Sequence, residues 1–286
     1  MSDLPPVFFN HLYVVLDDKT YRAIQASDFL LTAFPGVERR ATRTAAGETW
    51  SGTYYYGRDN YLELFGQSTS QHWFPNASSG WAGLAFSTDA PGGVEAVKER
   101  VQSLLGYEPF HELRRLIAPE KTVNWFHHVK LAERLGLESF DSWVMEYHPE
   151  IFAHKGINLS PSANPTREAY LSGWNKTDNR KSSPVFNRVI GATMNLDERR
   201  AGKFGQILQA LGFIKKEETG QVVLSANGFS LTIRITPGEA APPGYRISCI
   251  KLEMARPSVA PMTFVFAPGS RLVLKEDMTA EWCFGG

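Results

Sequence analysis

Residues 8–16 form a nearly continuous apolar run from Phe8 to Leu16 and predict a buried strand, into which a histidine, His11, is set. The period then changes. In DDKTYRAIQASDFLLTAF, the residues Tyr21, Ile24, Leu30, Leu31 and Phe34 give a broad apolar face; Asp17 or Asp18 can cap its start and Gly36 stops it, which predicts a helix. VERRATRTAAG, ETWSGTYYYG and NYLELFG follow as three strands punctuated by Gly47, Gly57 and Gly66. The order over the first 68 residues is βαβββ.

The same order recurs. GWAGLAFSTDAPGGVEAVKERVQSLLGY reads as a strand, a turn at Pro91-Gly92-Gly93, and a helix with Val94, Val97, Val101, Leu104 and Leu105 on one side. FHELRRLIAP, KTVNWFHHVKL and DSWVMEYHPEIF complete that unit as strands. A third copy runs from VFNRVIGATMNLDERRAGKFGQILQALGF through GQVVLSA to FSLTIRI, its helix repeating Phe204, Ile207, Leu208 and Leu211. The tail (GYRISCIKLEMARP, MTFVFAP, SRLVLKE and AEWCF) reads as strands, like a fourth unit without its crossover helix. Residues 156–184, rich in Ser, Pro, Asn and Gly, are the expected linker, part of which packs down through Tyr170. The expected organisation is therefore an N-terminal pair of modules over 1–155 (1–68 and 80–152), the linker, and a degenerate C-terminal pair over 185–286.

Composition narrows the class. The 286 residues are 43% apolar, enough for real cores. Lys plus Arg and Asp plus Glu number 30 each, so no field of one sign points to nucleic acid or to an acidic membrane. No stretch approaches 18 uncharged apolar residues, and the first residues lack the pattern of a signal peptide. The two cysteines, Cys249 and Cys283, sit in unrelated contexts and form no C-x-x-C pair. A soluble, reduced, cytoplasmic protein is the expectation.

With βαβββ repeated, His11 on the first strand and Glu63 on the last strand of the first unit (NHLYVVLDD with YLELFG), the chain resembles the vicinal oxygen chelate superfamily of glyoxalase I, extradiol dioxygenases and bleomycin- or fosfomycin-resistance proteins. More narrowly it is similar to an uncharacterised glyoxalase-like family of long bacterial chains. The resemblance implies an α+β fold of paired βαβββ modules whose sheets close into incomplete half-barrels. It also implies that first and last strands supply His, Gln or Glu ligands to one divalent metal, which the substrate chelates through adjacent oxygens. Carried over position by position, His11 and Glu63 fit the ligands of module one. In module two WAGLAFSTD places Gly83 at the first position and WVMEYHP places Glu146 at the second. In module three Arg188 stands in place of His11, and FSLTIRI has no carboxylate.

The residues admit a second reading beside this one. His11, Glu63 and Glu146 make a one-imidazole, two-carboxylate set suited to zinc, manganese, iron or nickel without distinguishing them. A hydrogen-bonded core histidine with a carboxylate partner gives the same pattern. His128, in NWFHHVKL, can enter the cavity if its neighbour His127 faces away. Trp50, Tyr54 and Tyr56 share one face of their strand and suit a small polar-aromatic ligand, or are ordinary strand formers. Glu48 serves as a general base if it lies at the cavity mouth, and Glu146 is the other candidate proton carrier. His72, in a loop with Trp73, Phe74 and Trp81, could lid a pocket. The function expected is a metal-dependent enzyme of lyase, isomerase or dioxygenase type acting on a small oxygen-rich substrate. The alternative is a metal-free small-molecule binding or resistance protein of the same fold. No nucleic-acid or membrane partner is expected, and there is room for a homodimer.

Overall fold

A computed structural model of the chain describes residues 4–34, 36–70, 78–119, 121–133, 135–136, 139–160, 162–175, 185–237 and 245–285. The first half contains β1 (Val7–Leu16), α1 (Asp18–Gln25), α2 (Asp28–Ala33), β2 (Val37–Arg43), β3 (Thr49–Tyr56), β4 (Tyr61–Gly66), α3 (Gln67–Ser70), β5 (Ala82–Thr88), α4 (Gly93–Leu105), β6 (His111–Ile117), β7 (Thr122–Lys130) and β8 (Phe140–Tyr147). Two short helices, α5 (Pro149–His154) and α6 (Arg167–Asn175), follow it. The second half contains β9 (Phe186–Leu196), α7 (Glu198–Ala210), β10 (Ile214–Glu218), β11 (Gln221–Ala226), β12 (Phe229–Ile235), β13 (Ile247–Met254), β14 (Met262–Val265), β15 (Ser270–Leu274) and β16 (Thr279–Phe284).

These elements form two eight-stranded sheets of matching order, β2-β3-β4-β1-β5-β8-β7-β6 and β10-β11-β12-β9-β13-β16-β15-β14. The architecture is the α+β pairing of βαβββ half-barrels that the repeat implies. In each sheet the first strands of two modules run antiparallel at the centre. Strands β1, β5 and β9 each lie parallel to the last strand of their own module. The first sheet curls until its edge strands meet: Thr44 bridges Leu116, and the Ala45 N–H donates to the Arg115 carbonyl at 3.0 Å.

Strand alternation splits each sheet into two faces. One face of the first sheet, with Leu12, Val14, Leu62, Leu64, Leu84 and Val144, is buried together with the helices α1, α2 and α4. The matching face of the second sheet, with Ala192, Met194, Leu231, Leu252 and Trp282, is buried with α7, and both faces belong to a single core. Ring contacts cross between the halves: Phe9 stacks on Phe229 at 4.1 Å and Phe34 on Phe186 at 4.9 Å. Burying each such side chain contributes about 1.5–3 kcal/mol, which makes this shared layer the main source of stability. The hairpin between β3 and β4 docks on β9. The Asn60 amide donates to the Val189 carbonyl at 3.0 Å and its oxygen accepts from the Val189 N–H at 2.8 Å. Gly57 sits so close to the Asn187 carbonyl that a β-carbon would stand 2.5 Å from it, so only glycine permits this approach.

Several local expectations are corrected. The helix expected across 17–34 is two helices, because Ser27 accepts from the Leu30 N–H and restarts the chain as an N-cap. The strand expected to run to Phe152 ends at Tyr147, where His148 caps α5 and Pro149 opens it. Strand β10, IKKEE, goes beyond the expected set; it is an exposed edge strand whose charged positions hide its period. The cysteines are not in unrelated contexts: Cys249 and Cys283 stand opposite each other on β13 and β16 and form a disulfide. No helix among the described residues is long and apolar enough to cross a membrane.

Candidate functional site

The face of the first sheet turned away from the shared core carries a second cluster, rich in aromatic residues: Tyr13, Trp50, Tyr54, Tyr61, Phe65, Trp143 and Tyr147. Helix α6 covers part of it, with Tyr170 stacked on Tyr147 at 4.2 Å. Beside this cluster is a cavity of about 290 Å³ lined by His11, Glu48, Trp50, Tyr61, Glu63, Arg114, Trp125, Phe126, His128, Lys130, Asp141 and Trp143.

His11 alternates with Tyr13 and Val15 on the cavity face of β1, and a break in register between Phe9 and His11, where β1 pairs with β5, puts Phe9 on the core face instead. Asn10 turns toward the same side, and its Oδ1 lies 2.8 Å from His11 Nδ1. With the Asn10 amide in this orientation its oxygen accepts, which makes Nδ1 the donor and leaves the Nε2 lone pair free. The ring stacks on Tyr61 at 4.4 Å and meets the edge of Trp143 at 5.4 Å. Glu63 stands one register step away, since Tyr61 pairs with His11 and Glu63 with Tyr13. Both are deeply placed, with relative exposures of 6% for His11 and 7% for Glu63. Burial lowers the His11 pKa to about 3 and raises that of Glu63 to about 8, the latter only partly opposed by the Arg40 charge. At neutral pH the pair is thus a free imidazole base beside a protonated carboxylic acid.

The other expected residues divide. His128 lines the cavity, is buried, and is held neutral by burial and by Arg114 and Lys130, its pKa lowered to about 3; its Nδ1 has no partner among the described residues. Trp50 lines the wall and donates to the Tyr54 hydroxyl at 2.9 Å. Tyr54 and Tyr56 share its face but do not line the cavity: Arg40 lies 4.2 Å over the Tyr54 ring, and the Tyr56 hydroxyl donates to Glu38 at 2.8 Å. Glu48 is at the cavity and is paired with Arg114, while also accepting from the Thr44 hydroxyl at 2.9 Å.

Glu146 is not in the site. Its two oxygens accept from the Gly92 and Val94 N–H groups at 2.9 and 3.1 Å, which caps α4 on the opposite face of the sheet. The register explains the error. Leu12 pairs with Leu84, so the local twofold carries His11 onto Gly83 and Tyr13 onto Ala85. Tyr13 pairs with Glu63 and Ala85 with Trp143, so Trp143 is the equivalent of Glu63, and Glu146 answers to Gly66. Gly83 is filled from the other side, for a β-carbon there would lie 2.1 Å from the Tyr13 ring. Arg188 is ion-paired with Glu253 at 3.0 Å.

Alternation in SWVMEY already marks Trp143, and not Glu146, as the residue sharing a face with Asp141 and Tyr147. The pairings Arg114–Glu48 and Lys130–Asp141, the latter at 2.7 Å, have no local signal. His72, Trp73 and Phe74 lie outside the described residues. Among the described residues no group of three or more His, Cys, Asp or Glu side chains is placed to hold a metal ion. The donors among the described residues therefore fall short of a divalent centre, which takes three protein ligands in a catalytic site.

The chain is similar in fold to a crystal structure described as a hypothetical protein from Staphylococcus aureus, with a TM-score of 0.57 and 10% identity over 91% of this chain and 95% of that one. A mutant of 4-hydroxymandelate synthase from Streptomyces coelicolor aligns at a TM-score of 0.44 and 14% identity, over 82% of this chain and 66% of that one. Glyoxalase I from Zea mays aligns at 0.34 and 10%, over 80% and 67%. At such identities likeness speaks to fold alone, and the two enzymes superimpose too loosely to carry an argument. No curated protein matches the chain. Residues 9–284 match the model of a family described as "Family of unknown function (DUF5829)", and the chain belongs to that family.

Proposed function

We propose that the first half of the chain binds a small, flat, largely uncharged organic molecule in the cavity beside His11, without a metal ion. Residues 1–155 with helix α6 form the binding unit in this reading, and residues 185–286 back it. The observation that carries it is the pair of residues at the positions equivalent to His11 and Glu63: Gly83 has no donor, and Trp143 offers only an N–H. Kinship to the vicinal oxygen chelate enzymes remains part of the proposal, as the source of the half-barrel and not of its chemistry. The cavity supplies aromatic walls, the His11 Nε2 acceptor and the Glu63 carboxyl, which both donates and accepts. It also supplies the Trp143 Nε1 donor, which has no partner among the described residues. A ring bearing a hydroxyl or N–H next to a carbonyl satisfies all of these.

The test is a fragment panel of phenols, hydroxypyridines and aromatic ketones screened by ligand-detected NMR, with and without zinc, iron(II) or manganese. Binding that is indifferent to metal and chelator, weakened by Trp50→Ala and Trp143→Phe, is expected. Stoichiometric metal retained by the wild type and lost in His11→Ala and Glu63→Gln would overturn the reading.

One observation favours a catalytic version of the same site. Burial holds Glu63 protonated and able to hand a proton to the oxygen of a bound carbonyl compound, and keeps His11 unprotonated, a weak base with a pKa of about 3 that suits only an already acidic C–H. Incorporation of solvent deuterium into a bound ketone, abolished by His11→Gln, is the expected outcome. Binding without exchange confines the site to sequestration.

A further inference from the structure

The disulfide lies on the second sheet, on the face turned away from the shared core, and shares no residue with this cavity. Buried Leu252, Ile250, Trp282 and Ala280 hold β13 to β16 from the core side, and the ladder continues from the cysteines to the Glu253–Thr279 pair. The sheet thus has its packing without the bond. Cys249 and Cys283 are both half-buried, and they take the alternate positions that face solvent. Above them is an open groove of about 800 Å³ whose lining includes Thr193, Ser225, Ser230, Thr232, Lys251 and Cys249.

We propose that Cys249–Cys283 is a reversible thiol–disulfide pair, opened by small polar thiols that enter through this groove and attack Cys249. The direction follows from strand order. Exchange requires the incoming sulfur to line up with the bond it breaks. Cys283 lies on β16, to one side of β13, and the groove extends mainly over β9, β12 and β11, to the other, reaching β16 at Glu281 but not at Cys283. A thiolate seated over Thr193, which pairs with Cys249 across β9 and β13, is therefore in line with Cys249 Sγ and with Cys283 behind it. Its sulfur bonds to Cys249, the Sγ–Sγ bond breaks, and Cys283 leaves as a thiolate. Arg271, exposed and opposite Cys283 on β15, is placed to stabilise that charge and make Cys283 the better leaving group. A second thiol releases the first as its own disulfide, so two thiols supply the two electrons and both cysteines end reduced. The Ser and Thr hydroxyls of the groove floor suit a polar, hydrogen-bonding thiol over a greasy one.

The experiment uses the full chain in cysteine/cystine buffers without denaturant, read by alkylation and mass spectrometry. Free thiols are expected to pass from none to both as the buffer becomes reducing, with an unchanged near-ultraviolet circular dichroism spectrum. Cys283→Ser treated with cystine is expected to hold a cysteine adduct on Cys249, whereas Cys249→Ser forms the adduct on Cys283 more slowly. Arg271→Ala is expected to slow opening roughly threefold, as a modest rise in the leaving thiol's pKa implies. A bond that survives excess dithiothreitol in the native state overturns the proposal. So does a protein whose thiols stay free in cystine, or preferential modification of Cys283.

Discussion

Alternate positions on the cavity side of the first sheet carry Trp50, Tyr61, Phe65, Trp143 and Tyr147, whereas Thr193, Ser225, Ser230, Thr232 and Cys249 line the open groove of the second. The strand orders match, and the core-facing positions are apolar in both sheets. One parity of each strand thus secures the fold, and the other is free to differ. Aromatic positions must be covered, and α6 together with the meeting of β2 and β6 covers most of them, leaving a partly open cavity. Hydroxyl positions pair with one another, as Ser225 and Ser230 do at 2.7 Å, or face the solvent, so the second sheet needs no cover.

The largest way to break this contrast is to remove the cover. Tyr170→Ala is expected to cost about 3–5 kcal/mol in urea unfolding and to abolish fragment binding, as loss of a buried aromatic side chain does. Thr232→Ala on the uncovered sheet is expected to stay within about 0.5 kcal/mol. Equal costs would show that the two faces do not differ energetically.

Gly83→Ala comes next, at about 1–3 kcal/mol, because its β-carbon would press into the Tyr13 ring and push it toward the cavity. A crystal structure of the variant with Tyr13 unmoved, or an unchanged melting temperature, would refute the close packing.

The titrating groups give a test in pH. The folded-state pKa of Glu63 is raised from 4.5 to about 8, so the fold holds a proton that the unfolded chain releases; this contribution is complete below pH 4.5 and is lost as pH rises to 8. His11 and His128 are lowered from 6.5 to about 3, so their contribution is present above pH 6.5 and is lost as pH falls toward 3. Stability measured against pH is therefore expected to fall on both sides of mildly acidic pH. Glu63→Gln is expected to flatten the alkaline limb by about 1 kcal/mol or more, since each tenfold change in a proton-binding constant is worth about 1.4 kcal/mol. His128→Asn flattens the acid limb. An alkaline limb unchanged in Glu63→Gln would mean that the carboxyl is ionised in the fold.

The smallest effect is expected at the seam. Glu48→Gln breaks the pair with Arg114 and should cost about 0–1 kcal/mol, since both partners are partly exposed. Its signature is faster ligand entry and release, not a lower affinity.

The βαβββ order and the alternation that sets His11 with Tyr13, and Glu63 with Tyr61 and Phe65, are legible in the sequence because both rest on local period; that β1 and β4 lie side by side comes from the resemblance. The features that escape it do so for identifiable reasons. Glu146 attracts the alignment by its charge, three residues from the true equivalent of Glu63, and an odd slip puts a side chain on the other face of its strand. Strand β10 is hidden because the charges of IKKEE read as solvent, and here Ile214-Lys215-Lys216 is an edge. The Arg114–Glu48 pair spans 66 residues and depends on the sheet curling, and the cysteine pair spans 34 and depends on β16 lying beside β13. No local pattern records which strands become neighbours.

Asn60 presents one donor and one acceptor to the backbone of Val189 and so stands in, with a single side chain, for a rung of a β-ladder between the halves. Because that rung is buried and the layer beneath it is common property, neither half can open without exposing the other's packed surface. The two sheets are therefore expected to melt in one calorimetric transition, and a break in the chain between them should leave a complex that stays associated. A duplicated architecture is then one thermodynamic unit, in which a ligand held by the first sheet is expected to stabilise the second as well.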